Sequence, residues 1–417
     1  SVTARARRDS LAREREAAAA NMAIETEPIG TSEPPLSAAL RISARAGALA
    51  ERAERERELP RELLSELRDA GLMSLCLPRS LGGREARPAE MALALEQLAS
   101  ADGATAWCAM IASTSSLLGA YLPREEAELI YAGGSAVTGG VFAPRGRAER
   151  RDGAYVVTGR WSFVSGVQHC DWVLGGCVVH DGEEPVLLAD GSPDVRLALM
   201  PIDAVEVIDT WSVSGLRGTG SHDISAVAQL VPATRVVALL DERPRHPGAL
   251  YSFPLFGLLA IGIASVALGI ARGAIEDLTE LAGTKTPAAG RRTLAERATV
   301  QAELARGEAS LRAARGLVLA EADAAWLAAA DAADGAAIPE ERRLGLRLAA
   351  THATGVAAEV VTAMYHAGGG SSIYDSSPLQ RRFRDVHVAT QHMMVAPATW
   401  ELAGRLLLGL PTDTRQL

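Results

Sequence analysis

The chain has 417 residues and a formal net charge of −9, with 48% hydrophobic, 22% charged and only 4% aromatic residues. That length calls for two or three packed units, and the apolar share excludes a disordered chain. The acidic balance gives no electrostatic support to a nucleic-acid partner. The four cysteines, Cys76, Cys108, Cys170 and Cys177, show no CxxC pair and no paired His/Cys spacing, so they read as reduced, buried thiols of a cytoplasmic protein.

Residues 1–36 mix both charge signs, then carry IETEPIGTSEPP; they read as a poorly ordered arm without a signal-peptide apolar region. From 37 to 135 apolar residues recur at helical spacing. Pro60 suits the first turn of a second helix and Gly71 its stop. LPRSLGG is a loop, and helices follow over roughly 87–100, 104–121 and from Pro123. Between 136 and 245 valine rises and alternation appears. RAERRDGAYVVTGRWSFVSG places an Asp152-Gly153 turn between two strands, the strongest hairpin signal in the chain. CDWVLGGCVV, PVLLAD, VRLALMP and AQLVPATRVV read as further strands of a small β-barrel or sandwich. Residues 246–417 return to helix in four alanine-rich segments, 253–282, 293–332, 339–367 and 378–408, which suggest a four-helix bundle. No unbroken apolar run reaches membrane-spanning length; 253–270 is interrupted by glycines and Pro254, as suits a buried core helix, and no membrane partner is expected.

Four constellations carry candidate chemistry. In WSFVSGVQHCDW, Trp161 and Phe163 share one strand face, and Ser165-Gly166 form a corner where an aromatic ring can stack a planar heterocycle. The same indole suits a barrel core. In GLRGTGSHD, Arg217 pairs either with a phosphate or with a structural carboxylate. Arg291-Arg292 precede a helix, as an anion site or as a solvated charge pair. In YHAGGGSSIYDSSPLQRRFRDVHVATQHMM, Gly369 and Gly370 let backbone approach a ligand, and Ser371 and Ser372 add hydroxyls. His387 and His392 follow, five residues apart. That spacing is not one helical face, and no metal site is expected.

In this order, with the bundle helix RRTLAERATVQAELA, the pieces resemble the acyl-CoA dehydrogenase fold: mainly α, with an N-terminal helical domain, a central β-domain and a C-terminal four-helix bundle. Within it they look most like the reduced-flavin-dependent monooxygenases, the oxygenase components of two-component aromatic and amine hydroxylases. The strings W-x-F-x-S-G-x-x-H-C-x-W and R-D-V-H-x-A-x-Q-H carry the likeness, which covers about residues 38–410. It implies reduced flavin (FADH2 or FMNH2) and O2, a C4a-hydroperoxyflavin, a small-molecule substrate, a separate NAD(P)H:flavin reductase and a homotetramer. Phe142, Ala143, Trp161, Phe163, Ser165 and Gly166 would line the flavin ring, and Arg291 with Gly369, Gly370, Ser371 and Ser372 would meet its phosphate. His392 and Ser165 would be catalytic, His392 donating to the peroxide or taking a substrate proton and Ser165 donating to flavin N5 or to the peroxide. Trp107, Ser115 and His169 are the candidate substrate pocket. Ser115 occupies the seat of a second histidine found in several phenol hydroxylases of the branch; its serine-rich surroundings read as tight helix packing or as a roomy pocket.

Two other readings stay open. Thioester oxidation by an acyl-CoA dehydrogenase needs a glutamate base, yet ATQHMMV has no acid before Glu401, and SFPLFGLLAIGIASVALG none before Glu276. A non-catalytic scaffold of the same fold has no physical reason to keep all four constellations.

Overall fold

A computed structural model describes residues 33–239, 242–286, 291–332 and 338–417. The expected arm lies outside the described residues as far as position 32, and its last residues are already helical, because α1 (Pro35–Glu56) starts at Pro35. A proline there forfeits only an N–H that a helix leaves unpaired. Pro60 caps α2 (Arg61–Asp69), and Gly71, at φ 66°, ends it. Next come α3 (Pro88–Ala101), α4 (Gly103–Ser116) and α5 (Arg124–Tyr131). Asp102 starts α4 by accepting from Thr105 N at 2.8 Å and from its hydroxyl at 2.6 Å.

The β-block holds β1 (Thr138–Arg151), β2 (Ala154–Val164), β3 (Trp172–Asp181), β4 (Glu184–Pro185), β5 (Val195–Pro201), β6 (Glu206–Ile208), β7 (His222–Pro232) and β8 (Val236–Val237). They form one mixed sheet in the order β6-β7-β2-β1-β3-β5-β8, with β4 beside β3. β1 and β2 are antiparallel across the Asp152-Gly153 turn, Gly153 taking φ 74°, and β1 runs parallel to β3. PVLLAD does not form the expected strand. It meets β3 only at its start, Pro185 opposite His180 and Val186 N donating to Val179 O at 2.9 Å, before Asp190 turns the chain by accepting from Ser192 N at 2.9 Å.

Of the bundle, α6 (Ala249–Ser252) leads into α7 (Leu255–Thr284), α8 (Ala298–Asp331) and α9 (Glu340–Gly368). Among the described residues α7 alone is long and apolar enough to cross a membrane, yet it is largely buried, packed between α3 and α9. Its Gly269 permits that approach: a Cβ there would lie 2.2 Å from Glu96 O of α3. The expected final helix is two helices, α10 (Pro378–Ala389) and α11 (Ala398–Leu407). Thr390 ends the first by bonding His387 O at 2.7 Å, and the turn that follows holds His392. α10 is pinned from two sides. Arg382 pairs with Asp277 of α7, and Arg384 with Glu54 of α1 at 2.6 Å.

Candidate active site

Four segments meet where the β-block faces the bundle: Trp107 from α4, Phe163 and Ser165 from the end of β2, the loop Gly215–Ser221, and His392. Trp107 Nε1 donates to Ser165 Oγ at 3.1 Å, and Ser165 Oγ lies 2.8 Å from Ser221 Oγ. Thr219 Oγ1 stands 2.7 Å from Ser221 Oγ, and Gly166 N donates to Thr219 O at 2.7 Å. Trp107 also meets His392 edge-on, with ring centroids 5.8 Å apart. The loop reaches this place because Asp385, buried on α10, accepts from Leu216 N at 2.5 Å. Burial raises that carboxyl to about 7, and the like charge of Asp102 adds to the effect.

Phe163 is the projecting aromatic. It takes φ 69°, which is rare for a residue with a side chain, at a register shift between Trp161 and Val164. The extra residue turns Phe163 away from the core, leaving it 71% exposed and edge-on to Trp211 at 6.2 Å. Backbone held in that region marks sites where shape has been over-determined by its surroundings. Phe142 and Ala143 are half-buried at a further shift, between Val141 and Pro144 in the β1–β3 pairing, where a Cβ on Gly176 would strike both their carbonyls.

The bulge corrects one expectation. Trp161 and Phe163 do not share a face: Trp161 is fully buried, and its Nε1 donates to Gly176 O at 2.8 Å. Its ring fills a slot kept open by Gly146, Gly159 and Gly175, whose Cβ atoms would lie 2.3, 2.8 and 2.6 Å from it. Trp161 therefore belongs to the sheet core and does not line a ligand. His169 is likewise committed to the protein. Its Nε2 accepts from Leu59 N at 3.0 Å, and its own carbonyl from Arg68 at 2.8 Å. Arg217 faces a carboxylate, Glu54, at 4.0 Å. Ser115 is buried in α4 among hydroxyls tied to backbone, Ser113 to Leu72 O at 3.0 Å and Ser116 to Ser113 O at 2.7 Å; that is tight helix packing.

His392 is half-buried, and burial lowers its pKa to about 4, with Arg347 adding to the shift. Arg347 is buried and binds Met394 O at 3.1 Å, Thr399 Oγ1 at 3.3 Å and Gln416 O. His392 Nδ1 accepts from Met394 N at 3.2 Å. A neutral imidazole has one proton, so it sits on Nε2 and the ring offers a donor there. Burial lowers His169 to about 4 as well, with Arg68 adding to it. Both native rings thus stay neutral where the unfolded chain, near 6.5, takes up protons. Stability is complete above 6.5 and falls as pH drops toward 4. Thermal melts across that window should show the fall. His169→Gln, which keeps an acceptor for Leu59 N, should flatten part of it; an unaltered slope would place the proton uptake elsewhere.

The glycine loop lies apart from this junction. Gly369 takes φ 58° and, like Gly370, is exposed, whereas Ser372 is fully buried with no partner for its hydroxyl. Ser371 is half-buried on a cleft of about 320 Å³ shared with Asp277, Tyr374 and Ser377. Lys285 Nζ donates to Gly368 O at 2.7 Å, and Lys285 O accepts from Leu294 N at 2.9 Å. That brings the exposed Arg291 segment to the same end of the bundle. No hydrogen bond, ion pair or ring contact among the described residues joins this loop to Ser165 or His392. The two places can hold the two ends of a long cofactor: a flat ring against Phe163, Phe142 and Ala143, and an anion beside Arg291, the glycine amides and the unpartnered Ser372 hydroxyl.

Sequence reasoning missed Trp211, Ser221, Thr219 and Arg347. The GLRGTGSHD string pointed to the loop without showing that its Ser221 hydroxyl meets Ser165 and its Thr219 hydroxyl meets Ser221.

The acyl-CoA dehydrogenase N-terminal domain matches residues 39–123, and the acyl-CoA dehydrogenase C-terminal domain residues 261–397. Indole-3-acetate monooxygenase of Pseudomonas putida is 31% identical over 358 residues, 85% of this chain and 89% of that protein. The crystal structure of the HsaA monooxygenase from M. tuberculosis superposes with a TM-score of 0.84 at 26% identity, covering 93% of this chain and all (100%) of that one. XiaF from Streptomyces sp., solved with FADH2 and glycerol, gives 0.80 at 27% identity, covering 90% and 96%. By these matches the chain belongs to the acyl-CoA dehydrogenase-fold flavin-dependent monooxygenases, as an oxygenase component that uses reduced flavin and O2 on a small molecule and is served by a separate reductase.

Proposed function

We propose that this oxygenase component hydroxylates an electron-rich aromatic or heteroaromatic compound, with the flavin ring seated on Phe163 between the β-block and the His392 turn. The observation that carries this reading is the Trp107–Ser165–His392 junction beside a strained, exposed phenylalanine. Bound reduced flavin supplies the electrons that activate oxygen; the chain supplies position, dryness and hydrogen bonds. Phe163 stacks the ring, while Phe142 and Ala143 wall its edge. Trp107 shields the reacting side from water. His392 donates from Nε2 toward the oxygen, and its neutrality adds no fixed cation to the pocket.

The substrate class follows from what His392 lacks. Its Nδ1 is occupied and its basicity depressed, so it is a poor base for stripping a phenol proton. Ser115 offers only a hydroxyl. A ring already reactive without deprotonation, of the indole kind, suits this site better than a phenol.

The flavin tail extends, on this reading, to Arg291 and the Gly369–Ser372 loop of a neighbouring subunit in a homotetramer. That no hydrogen bond, ion pair or ring contact among the described residues joins the two surfaces within one chain supports that arrangement. So do exposed Trp400, Leu407 and Leu408 on and just after α11. Anaerobic titration with reduced FAD and FMN tests the assignment. Phe163→Ala and Gly369→Val should each weaken binding about tenfold or more, the first through lost stacking and the second through a φ that valine resists. Wild-type affinity in both would remove the ring and tail from these surfaces.

A further inference from the structure

Behind Ser165 runs a row of hydroxyls, and its hydrogen-bond directions have one complete solution. Thr219 Oγ1 lies 2.8 Å from Leu216 O, a carbonyl, which only accepts. Thr219 therefore spends its proton there. The contact with Ser221 at 2.7 Å must then be donated by Ser221. With that proton spent as well, the 2.8 Å contact between Ser221 and Ser165 must be donated by Ser165. Trp107 Nε1 donates to the same Ser165 oxygen at 3.1 Å. Ser165 is left with no free proton and one free lone pair. Thr219, Ser221 and Ser165 are 0%, 2% and 7% exposed, which limits the water available to reverse the order.

The geometry points to Thr219 and Ser221 as positioning residues that fix Ser165 as a hydrogen-bond acceptor, so that the site selects reduced flavin over oxidised flavin. The expectation that Ser165 donates to the flavin is thereby reversed. The inference rests on the flavin edge facing Ser165. Reduced flavin carries a hydrogen on N5 and donates; oxidised flavin presents only a lone pair there. An acceptor locked in place welcomes the first and repels the second. An oxygenase component that takes reduced flavin from its reductase and must release the oxidised form gains from this asymmetry. Backbone reinforces the arrangement, since Gly166 N holds Thr219 O at 2.7 Å and keeps the serine turn against the row.

The test is the ratio of dissociation constants for oxidised and reduced flavin, measured anaerobically on the full chain with FAD and with FMN. Ser221→Ala frees the Ser165 proton to meet the oxidised N5 lone pair. It should tighten oxidised flavin and lower the ratio about tenfold, the size of one net hydrogen bond. That corresponds to about 30 mV in the two-electron potential of the bound flavin. Thr219→Val, nearly isosteric, lets Ser221 donate to Ser165 and should lower the ratio likewise; Thr219→Ser keeps the hydroxyl and should keep the ratio. A merely structural role would move both affinities together. If Ser165→Ala lowers the ratio while Ser221→Ala and Thr219→Val leave it unchanged, the relay is overturned and the flavin placement stands. If Ser165→Ala itself leaves the ratio unchanged, the flavin placement falls, and this inference with it.

Discussion

Replacing His392 with alanine should leave reduced-flavin affinity and the fold nearly intact while product formation falls about a hundredfold and oxygen is returned as hydrogen peroxide. The size of the effect follows from the shape of the donor set. Trp107 spends its N–H on Ser165, and Ser165 spends its own proton on Ser221. Nε2 of His392 is thus the donor left to face the reacting oxygen, held by Met394 N on the opposite nitrogen. Alanine admits water in its place, and water neither holds one direction nor keeps the pocket dry. The fold should survive because His392 lies in a turn that Arg347 secures independently through Met394 O, Thr399 and Gln416 O. Oxygen uptake, peroxide and hydroxylated product measured together on an indole-type substrate decide it. Tight coupling in the variant would take His392 out of the chemistry.

Trp161→Ala should cost about 3–5 kcal/mol of stability, the range for emptying a buried large aromatic site. The upper end is expected here because the slot is walled by Gly146, Gly159 and Gly175, which have no side chains to collapse into it. Losing Nε1 also leaves Gly176 O without its partner. Denaturant unfolding measures the loss. Trp161→Phe, which refills much of the slot, should bind reduced flavin as the wild type does, because the indole touches the sheet and not the ligand. A collapse of flavin affinity in that conservative variant, with stability preserved, would return Trp161 to the site.

The sequence carried the architecture well because its signals were periodic and local. Pro60, Gly71 and the Asp152-Gly153 turn act on their own neighbours, and each does in the structure what its backbone chemistry requires. The Ser165–His392 neighbourhood was legible through the two strings that carry it. What stayed hidden depends on residues far apart in the chain. Strict alternation puts Trp161 and Phe163 on one face; one bulged residue at positive φ reverses that. Arg217 meets Glu54 across 163 positions, and Ser165 meets Ser221 across 56, so neither pairing is written locally. The break between α10 and α11 was masked by residues that are individually tolerable in helices, and only Pro397 hinted at it.

On this assignment the chain receives reduced flavin and controls its reaction with oxygen. Stopped-flow mixing of the protein, loaded anaerobically with reduced FAD or FMN, against oxygenated buffer tests it most directly. The absorbance of oxidised flavin should return in more than one phase, clearly later than for free reduced flavin, and His392→Ala should shorten the delay. Return in a single phase at the free-flavin rate, with protein in excess over flavin, would contradict the assignment.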